Sequence, residues 1–285
     1  MFGHTRSAAA NLLFLLAFVF GTIPALASGD LYRAKTIVTG QREESRLPGF
    51  SKCLQDVLVK VSGDPKLIGD PAATGVLARA PEFVSGYRYR DRLEGLPIHD
   101  EQGSRDRPYD LTADFDPEKV DAALRALGRE PWTAPRPTVS IFLSVQNDTT
   151  TYLLASDGSN GIDQRESLVA AAWQMGMPMV LPGQAALNEA GLTFESLAAA
   201  RIRDLEKLAS ASGGNLPLLG RLVWSKGTLG WMAEWRLAWN GRTYHWWIRD
   251  VNFDDAFRSA MRGAAQIVSG NANQTKEQHG AGGGT

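Results

Sequence analysis

The densest collection of catalytic residue types lies in a polar stretch between Tyr89 and Tyr109. A histidine in this stretch could act as a general base or a metal ligand, because imidazole titrates near neutral pH and a neighbouring carboxylate can orient it. The alternative is a solvated hairpin tip whose charges pair locally, since adjacent residues of an extended chain point to opposite sides. The candidate catalytic side chains are His99, Asp100, Glu101 and Asp106.

Histidine and cysteine usage limits the metal chemistry of the chain. Of the 4 histidines, His4 lies in the N-terminal leader and His279 lies near the C-terminus. His99 and His245 remain, on opposite sides of the domain boundary predicted below. The single cysteine, Cys53, excludes zinc ribbons and iron–sulfur clusters, and its apolar helical surroundings predict a buried, unreactive thiol. We therefore predict no metal site and no cofactor.

Tryptophan is the strongest anomaly of composition, because six of the 8 tryptophans lie between Trp224 and Trp247. Asn240–Gly241 is a strong signal for a two-residue hairpin turn, which would set Trp235 opposite Trp246. This bulky face is predicted to be core beneath an amphipathic C-terminal helix. The alternative is an exposed aromatic platform for a glycan or for a partner's apolar surface. Trp247, which falls on the mixed face, is the best candidate for an exposed binding residue.

Alternating strand and helix patterns must position these residues. The stretch from Gly128 to Pro137 contains three prolines and marks the predicted boundary between two lobes. The predicted fold class is α+β, with two lobes of mixed or antiparallel sheets packed by helices, and a C-terminal β-hairpin followed by a helix. The predicted domains are a signal peptide at 1–27, an N-terminal α+β lobe at 28–130, a C-terminal α/β lobe at 131–269 and a disordered tail at 270–285. The predicted strands are 31–38, 83–93, 109–115, 139–145, 152–155, 177–181, 216–224, 231–240 and 242–250, and the predicted helices are 42–61, one starting at 70, 117–127, 165–175, 195–211 and 253–268.

The first 27 residues have the features of a secretory signal peptide. A short basic segment precedes an apolar run from Ala8 to Phe20. This run is too short to cross a bilayer, which needs roughly 20 residues. Ala25-Leu26-Ala27 supplies the small side chains that signal peptidase accepts, so we predict cleavage after Ala27 and a periplasmic or secreted protein. The alternative is an uncleaved membrane anchor.

Charge excludes some classes of partner. The chain has 285 residues with 30 Lys+Arg against 31 Asp+Glu, a formal net charge of -1. A general nucleic-acid or anionic-membrane binder needs a basic surplus, so neither is expected. No apolar run after the leader reaches spanning length, and we predict a protein with no stable membrane span after cleavage.

Several short segments carry a family resemblance. They are Val57–Asp64, Phe115–Pro117, Leu124–Gly128, Trp132 with Arg136–Pro137, Gly176–Pro178 and Leu181–Pro182. Together they resemble a proteobacterial exported family, the domain-of-unknown-function family 2066, across nearly all of 31–268. The resemblance implies export and implies no activity, cofactor or catalytic residue. The insertion between Tyr89 and Tyr109 is a departure from shorter relatives.

These observations favour an exported envelope protein that works by binding, as an assembly or accessory factor. Its expected partner is an envelope protein or a glycan, and not a nucleic acid. The alternative is a hydrolase that acts on cell-envelope material through the cluster around His99. Convergence of those side chains in a concave pocket would favour the hydrolase.

Overall fold

The structure is a computed structural model that describes residues 31–96, 99–100, 103–104 and 106–274. The predicted signal peptide, residues 1–27, and residues 275–285 of the predicted tail lie outside the described residues. The fold is α+β, as the sequence predicts, with a three-stranded sheet, a six-stranded sheet and a two-stranded ribbon. Within the described residues, no helix has both the length and the apolar character needed to cross a membrane.

The small sheet is antiparallel, with the order β1-β5-β2. Its long helix α1 packs so closely on one face that a Cβ on Gly49 would lie 2.6 Å from Leu111 and 2.8 Å from Val38. The opposite face is polar and includes the buried side chains of Asp110 and Thr112. The elements of this unit are β1 (Arg33–Thr39), α1 (Glu43–Ser62), α2 (Thr74–Ala78), β2 (Val84–Asp91), β3 (His99–Asp100), β4 (Gly103–Ser104), β5 (Pro108–Phe115) and α3 (Pro117–Ala126).

Helix α1 begins and ends within one residue of the predicted 42–61, and Pro48 lies inside it. Gly63 ends the helix at a φ of 69°, a left-handed conformation that glycine adopts without strain.

The large sheet is mixed, with the order β11-β10-β9-β6-β7 and with β8 beside β6. Strand β6 runs parallel to β8 and β9, and the other pairs are antiparallel. The C-terminal helix α8 covers one face of β10 and β11. The elements are β6 (Val139–Asn147), β7 (Thr150–Leu153), α4 (Ile162–Met175), β8 (Met179–Val180), α5 (Gln184–Glu189), α6 (Phe194–Ala199), α7 (Glu206–Ala211), β9 (Leu216–Ser225), β10 (Gly230–Trp239), β11 (Arg242–Val251) and α8 (Phe253–Val268).

The single long helix predicted over 195–211 is wrong. Helix α6 ends at Ala199, the next residue Ala200 has an extended ψ of 144°, and a 3-10 turn then leads into α7. The physical reason lies in the apolar spacing. Leu197 and Ile202 are both buried, yet five residues along a straight helix would place them about 140° apart. The break allows both side chains to face the sheet.

One continuous cluster of buried residues joins the two sheets, from Ala34 in β1 to Ile267 in α8. Arg136 links the C-terminal ends of α1 and α4. Its guanidinium donates to the carbonyl of Lys60 at 2.7 Å and to that of Met175 at 3.0 Å. Burial lowers the pKa of Arg136 to about 10, and the Trp132 ring stacks 4.0 Å from its guanidinium carbon. The boundary near residue 130 stays a prediction.

Candidate functional site

The structure places only part of the His99 cluster. His99 and Asp100 form β3, which pairs antiparallel with β4 in the register His99 with Ser104 and Asp100 with Gly103. Glu101 lies outside the described residues. These two strands form a two-stranded sheet of their own. The described residues do not test whether the side chains of this cluster meet.

Asp106, the fourth member, is engaged elsewhere. Its carboxylate forms an ion pair with Arg42, next to the start of α1, and lies 3.3 Å from the position that a Cβ on Gly40 would take. Arg107 follows it and holds the base of the insertion, where its Nε lies 3.1 Å from a carboxylate oxygen of Asp91. Both contacts hold this end of the insertion, and a catalytic role for Asp106 stays a prediction.

The tryptophan hairpin forms as the sequence predicts. Asn240 and Gly241 have φ values of 49° and 74°, the two positive angles of a type I′ turn. Trp235 lies opposite Trp246 and Trp239 lies opposite Arg242, so the predicted register is confirmed.

The bulky face of this hairpin is core. Trp235 has an exposed fraction of 0%, and its ring packs edge-on against Phe257 of α8 at a centroid distance of 6.4 Å. Trp246 donates its indole N–H to the carbonyl of Ser259 in the same helix at 3.2 Å. A Cβ on Gly263 would lie 2.5 Å from the Trp246 ring, so the glycine makes room for it.

The opposite face of the large sheet is covered only in part. Helices α5, α6 and α7 pack there on Phe142 and Leu219, which belong to a second, smaller buried cluster. These helices do not cover the sheet beyond Leu219. Arg221 on β9, Met232 on β10 and Trp247 on β11 are exposed there. We call the exposed part of β9, β10 and β11 the open face.

Trp247 is the exposed aromatic side chain of the open face, on the edge strand β11. Its exposed fraction is 55%, and the guanidinium carbon of Arg249 lies 4.3 Å from the centroid of its ring. A cation–π contact of this kind favours this orientation of the ring by about 0.5–1 kcal/mol at an exposed site. Together with Met232 and Val223, the ring lines a shallow groove of about 330 Å³. The groove therefore offers an ordered aromatic surface with an apolar floor.

Polar groups border this groove on its other side. His245 Nε2 and Glu234 Oε1 lie 2.7 Å apart, and both side chains are about half exposed. Arg221 is the cross-strand neighbour of Glu234, and Arg236 is the neighbour of His245. Arg236 also donates to the Ala198 carbonyl of α6 at 2.8 Å, which anchors it at the rim.

The open face carries a positive surplus. It holds three arginines against one carboxylate. An aromatic ring, hydrogen-bonding polar groups and a surplus of arginine suit a ligand that combines apolar surface with acidic groups. The charged members are Arg221, Arg236, Arg249, Glu234 and His245.

Sequence reasoning identified Trp247 and missed three of its neighbours. The hairpin alternation already places Glu234, Arg236 and His245 on the mixed face, but it says nothing about β9. Met232 lies on β10 itself, where the same alternation could have found it, whereas Arg221 and Val223 join the face through the pairing of β9 with β10. The turn at 226–229 lacks a two-residue signal like Asn240–Gly241, so the sequence does not give the register of that pairing.

Two further expectations concern reactive and metal-binding groups. Burial, and then the neighbouring carboxylate of Asp56, raises the pKa of the Cys53 thiol to about 12, so the thiolate is scarce at neutral pH. Across the described residues, no group of three or more His, Cys, Asp or Glu side chains converges in a way that could hold a metal ion.

A comparison with protein families gives a match to part of the chain. A family model described as a domain of unknown function (DUF8605) matches residues 25–133, less than half of the chain. The matched range contains the small sheet and the insertion, and it stops before the large sheet and the open face. It fits the expectation of an uncharacterised domain and does not confirm the resemblance to family 2066. No curated protein matches the chain.

Proposed function

We propose that this chain is an exported protein of the cell envelope that acts by binding, as an assembly or accessory factor, and that Trp247 and the open face around it contact the ligand. The observation that carries the proposal is the exposed tryptophan held in place by Arg249 beside Met232. An aromatic ring of this kind is costly to leave in water, and such rings are enriched where a protein meets a ligand. The resemblance to an exported family and the predicted signal peptide support the location.

The ligand that this surface fits best is an envelope glycan with carboxylate groups. The apolar face of a sugar ring stacks on tryptophan, and the arginines on the open face can pair with acidic substituents. His245 and Glu234 can hydrogen-bond to sugar hydroxyls because both remain accessible to solvent. The apolar surface of an envelope protein is the second possible ligand, and the binding test distinguishes the two.

The binding test compares two exposed apolar residues of similar accessibility. Ile162 at the start of α4 has an exposed fraction of 53%, close to that of Trp247, and it lies outside the open face. We expect the parent and the Ile162→Ala variant to co-sediment with purified, protein-free cell-wall sacculi, and the Trp247→Ala variant to stay in the supernatant. Equal sedimentation of both variants would remove the open face from the proposal. No sedimentation of the parent, combined with cross-linking to an envelope protein from a photoreactive group at position 247, would replace the glycan by a protein partner.

The location is tested by the mature N-terminus. The protein recovered from its own cells should begin at Ser28 and should be released with the soluble envelope fraction, because the residues before the predicted cut match what signal peptidase accepts. Intact mass and N-terminal sequencing measure this. A membrane-bound form that keeps Met1 would overturn the exported, soluble part of the proposal.

A further inference from the structure

A cleft of about 830 Å³ borders the free edge of β1, far from the open face. Strand β1 is the first strand of the small sheet, so one of its edges has no neighbouring strand among the described residues. Side chains of α4 and the start of α8 form the facing wall, including Val169 and Asp254. The cleft therefore leaves room beside an unpaired strand.

The hydrogen bonds of β1 show which backbone groups face the cleft. The carbonyl of Tyr32 accepts from the N–H of Phe115, and the N–H of Gly40 donates to the carbonyl of Arg107, so even-numbered residues bond toward β5. In an antiparallel strand the N–H and C=O of one residue point the same way, and the direction alternates. The residues that point away from β5 are Arg33, Lys35, Ile37 and Thr39.

Both ends of this free edge are already occupied. The Lys60 ammonium donates to the carbonyl of Arg33 at 2.8 Å, and the Ser45 hydroxyl donates to the carbonyl of Thr39 at 2.6 Å. In the described part of the chain, no other element bonds to the backbone of Lys35 or Ile37. The middle of β1 thus presents two N–H donors and two carbonyl acceptors to the cleft.

The polar face of the small sheet, on the side of the cleft, has more cations than carboxylates. On this face five basic side chains surround two aspartates, and each aspartate is shared by two arginines at 2.5 to 3.7 Å. The lining of the whole cleft holds six basic side chains against four carboxylates, which are Asp56, Asp110, Glu166 and Asp254. Lys35 has no carboxylate partner among the described residues, and Arg88 lies across Thr112 from it. The basic side chains are Arg33, Lys35, Arg88, Arg90 and Arg92.

Apolar side chains complete the cleft. Ile37 has an exposed fraction of 54% and Val169 one of 55%, which are high values for such residues. Ile37 points to the same side of the sheet as Lys35, whereas Val169 belongs to α4 on the facing wall. Acidic and apolar side chains alternating along an extended chain would each find a matching surface.

We infer that the free edge of β1 binds an extended acidic segment of a partner protein as an added strand. Its backbone pairs with Lys35 and Ile37, its carboxylates face Lys35 and Arg88, and its intervening apolar side chains contact Val169. A second copy of this chain is a poor occupant, because an antiparallel β1 pair would set the basic side chains of one copy against those of the other.

The test uses the full chain and a fluorescent peptide that alternates Glu and Val. We expect saturable binding by fluorescence anisotropy that weakens as salt is added. Ile37→Pro removes one outward N–H and leaves the bonds to β5 in place, because the N–H of Ile37 does not face β5. It should weaken binding about tenfold, because it removes a hydrogen bond and its ring obstructs the added strand. The control Ile37→Ala keeps the N–H, so it should bind like the parent except for the small effect of losing an apolar contact.

A charge exchange provides a second variant that does not depend on proline. Lys35→Glu should lose the Glu-Val peptide and gain a Lys-Val peptide, whereas Arg79→Glu, on a turn away from the cleft, should change neither. Unchanged binding of the acidic peptide by both Ile37→Pro and Lys35→Glu would overturn the inference. Pyrophosphate that binds as tightly as the peptide and displaces it from the parent would also overturn it, because the cleft would then be a site for small anions.

Discussion

Replacing Trp235 by alanine tests the core of the large sheet most directly. The side chain is fully buried, its ring contacts Phe257, and a Cβ on Gly220 would lie 2.2 Å from it. Because the surrounding backbone is held by strands on both sides, the site cannot collapse fully, and we expect Trp235→Ala to lower the free energy of unfolding by about 3–5 kcal/mol. Urea denaturation followed by far-UV circular dichroism measures this without relying on the remaining tryptophans.

The indole N–H adds a second, more specific expectation. The Nε1 of Trp235 is buried and has no hydrogen-bond partner among the described residues, and an unmet buried donor costs about 1–3 kcal/mol. Trp235→Phe removes this donor while keeping most of the ring, so it should cost at least about 2 kcal/mol less than Trp235→Ala. The control Trp247→Ala should stay within about 0.5 kcal/mol of the parent. If Trp235→Ala were as stable as the parent, the packing argument would be refuted. If Trp235→Phe lost as much unfolding free energy as Trp235→Ala, the donor argument would be refuted.

Three further expectations concern the insertion, the thiol and a buried ion pair. Replacing residues 95–105 by a two-residue turn should shift the thermal midpoint by less than about 3 °C, because shortening a surface loop changes its closure entropy little, and a larger loss would show that the insertion packs on the body. Cys53 should react with a thiol reagent only as fast as the protein opens. Its pKa in the folded protein, about 12, lies above the unfolded value of 9.0. Its contribution to stability is therefore complete below about pH 9 and is lost as the pH rises to 12. A titration of unfolding free energy over that range should be less steep in Cys53→Ala, and an identical slope would contradict the assignment. Arg129→Met removes the partner, at 2.7 Å, of the fully buried Asp64 carboxylate and should cost about 3–5 kcal/mol by urea denaturation, against less than about 1 kcal/mol for the exposed Arg125→Met. Equal costs for the two arginines would mean that Asp64 finds another partner.

The parts of the structure that sequence reasoning reached are those fixed by neighbours along the chain. The Asn240–Gly241 turn sets the register of the hairpin by itself, and alternation then assigns Trp235 and Trp247 to opposite faces. The same reasoning failed at 195–211, where helix propensity is continuous and the break at Ala200 is dictated by the sheet that the helix packs on. Propensity is a weak guide wherever tertiary contacts choose the conformation.

The open face and the cleft could be predicted only in part for a related reason. Trp247 and its hairpin partners are close in sequence, but Arg221 joins them through a strand pairing that the turn at 226–229 does not specify. The cleft brings together Lys35, Val169 and Asp254, which lie far apart in the sequence. Periodicity within a short stretch of sequence cannot predict such a contact. The contact depends on how α4 and α8 pack on the buried cluster shared by the two sheets.

Helix α8 follows every strand of the large sheet along the chain, and this order affects folding during synthesis. Phe257, Ala260 and Met261 on this helix are fully buried, and the helix covers Trp235 and packs on α4. A growing chain cannot bury those surfaces until residues 253–268 have left the ribosome. Until then the earlier strands lack their cover and expose apolar surface to chaperones. The core of the large sheet is therefore completed after its strands have been synthesised, and not while they are being made.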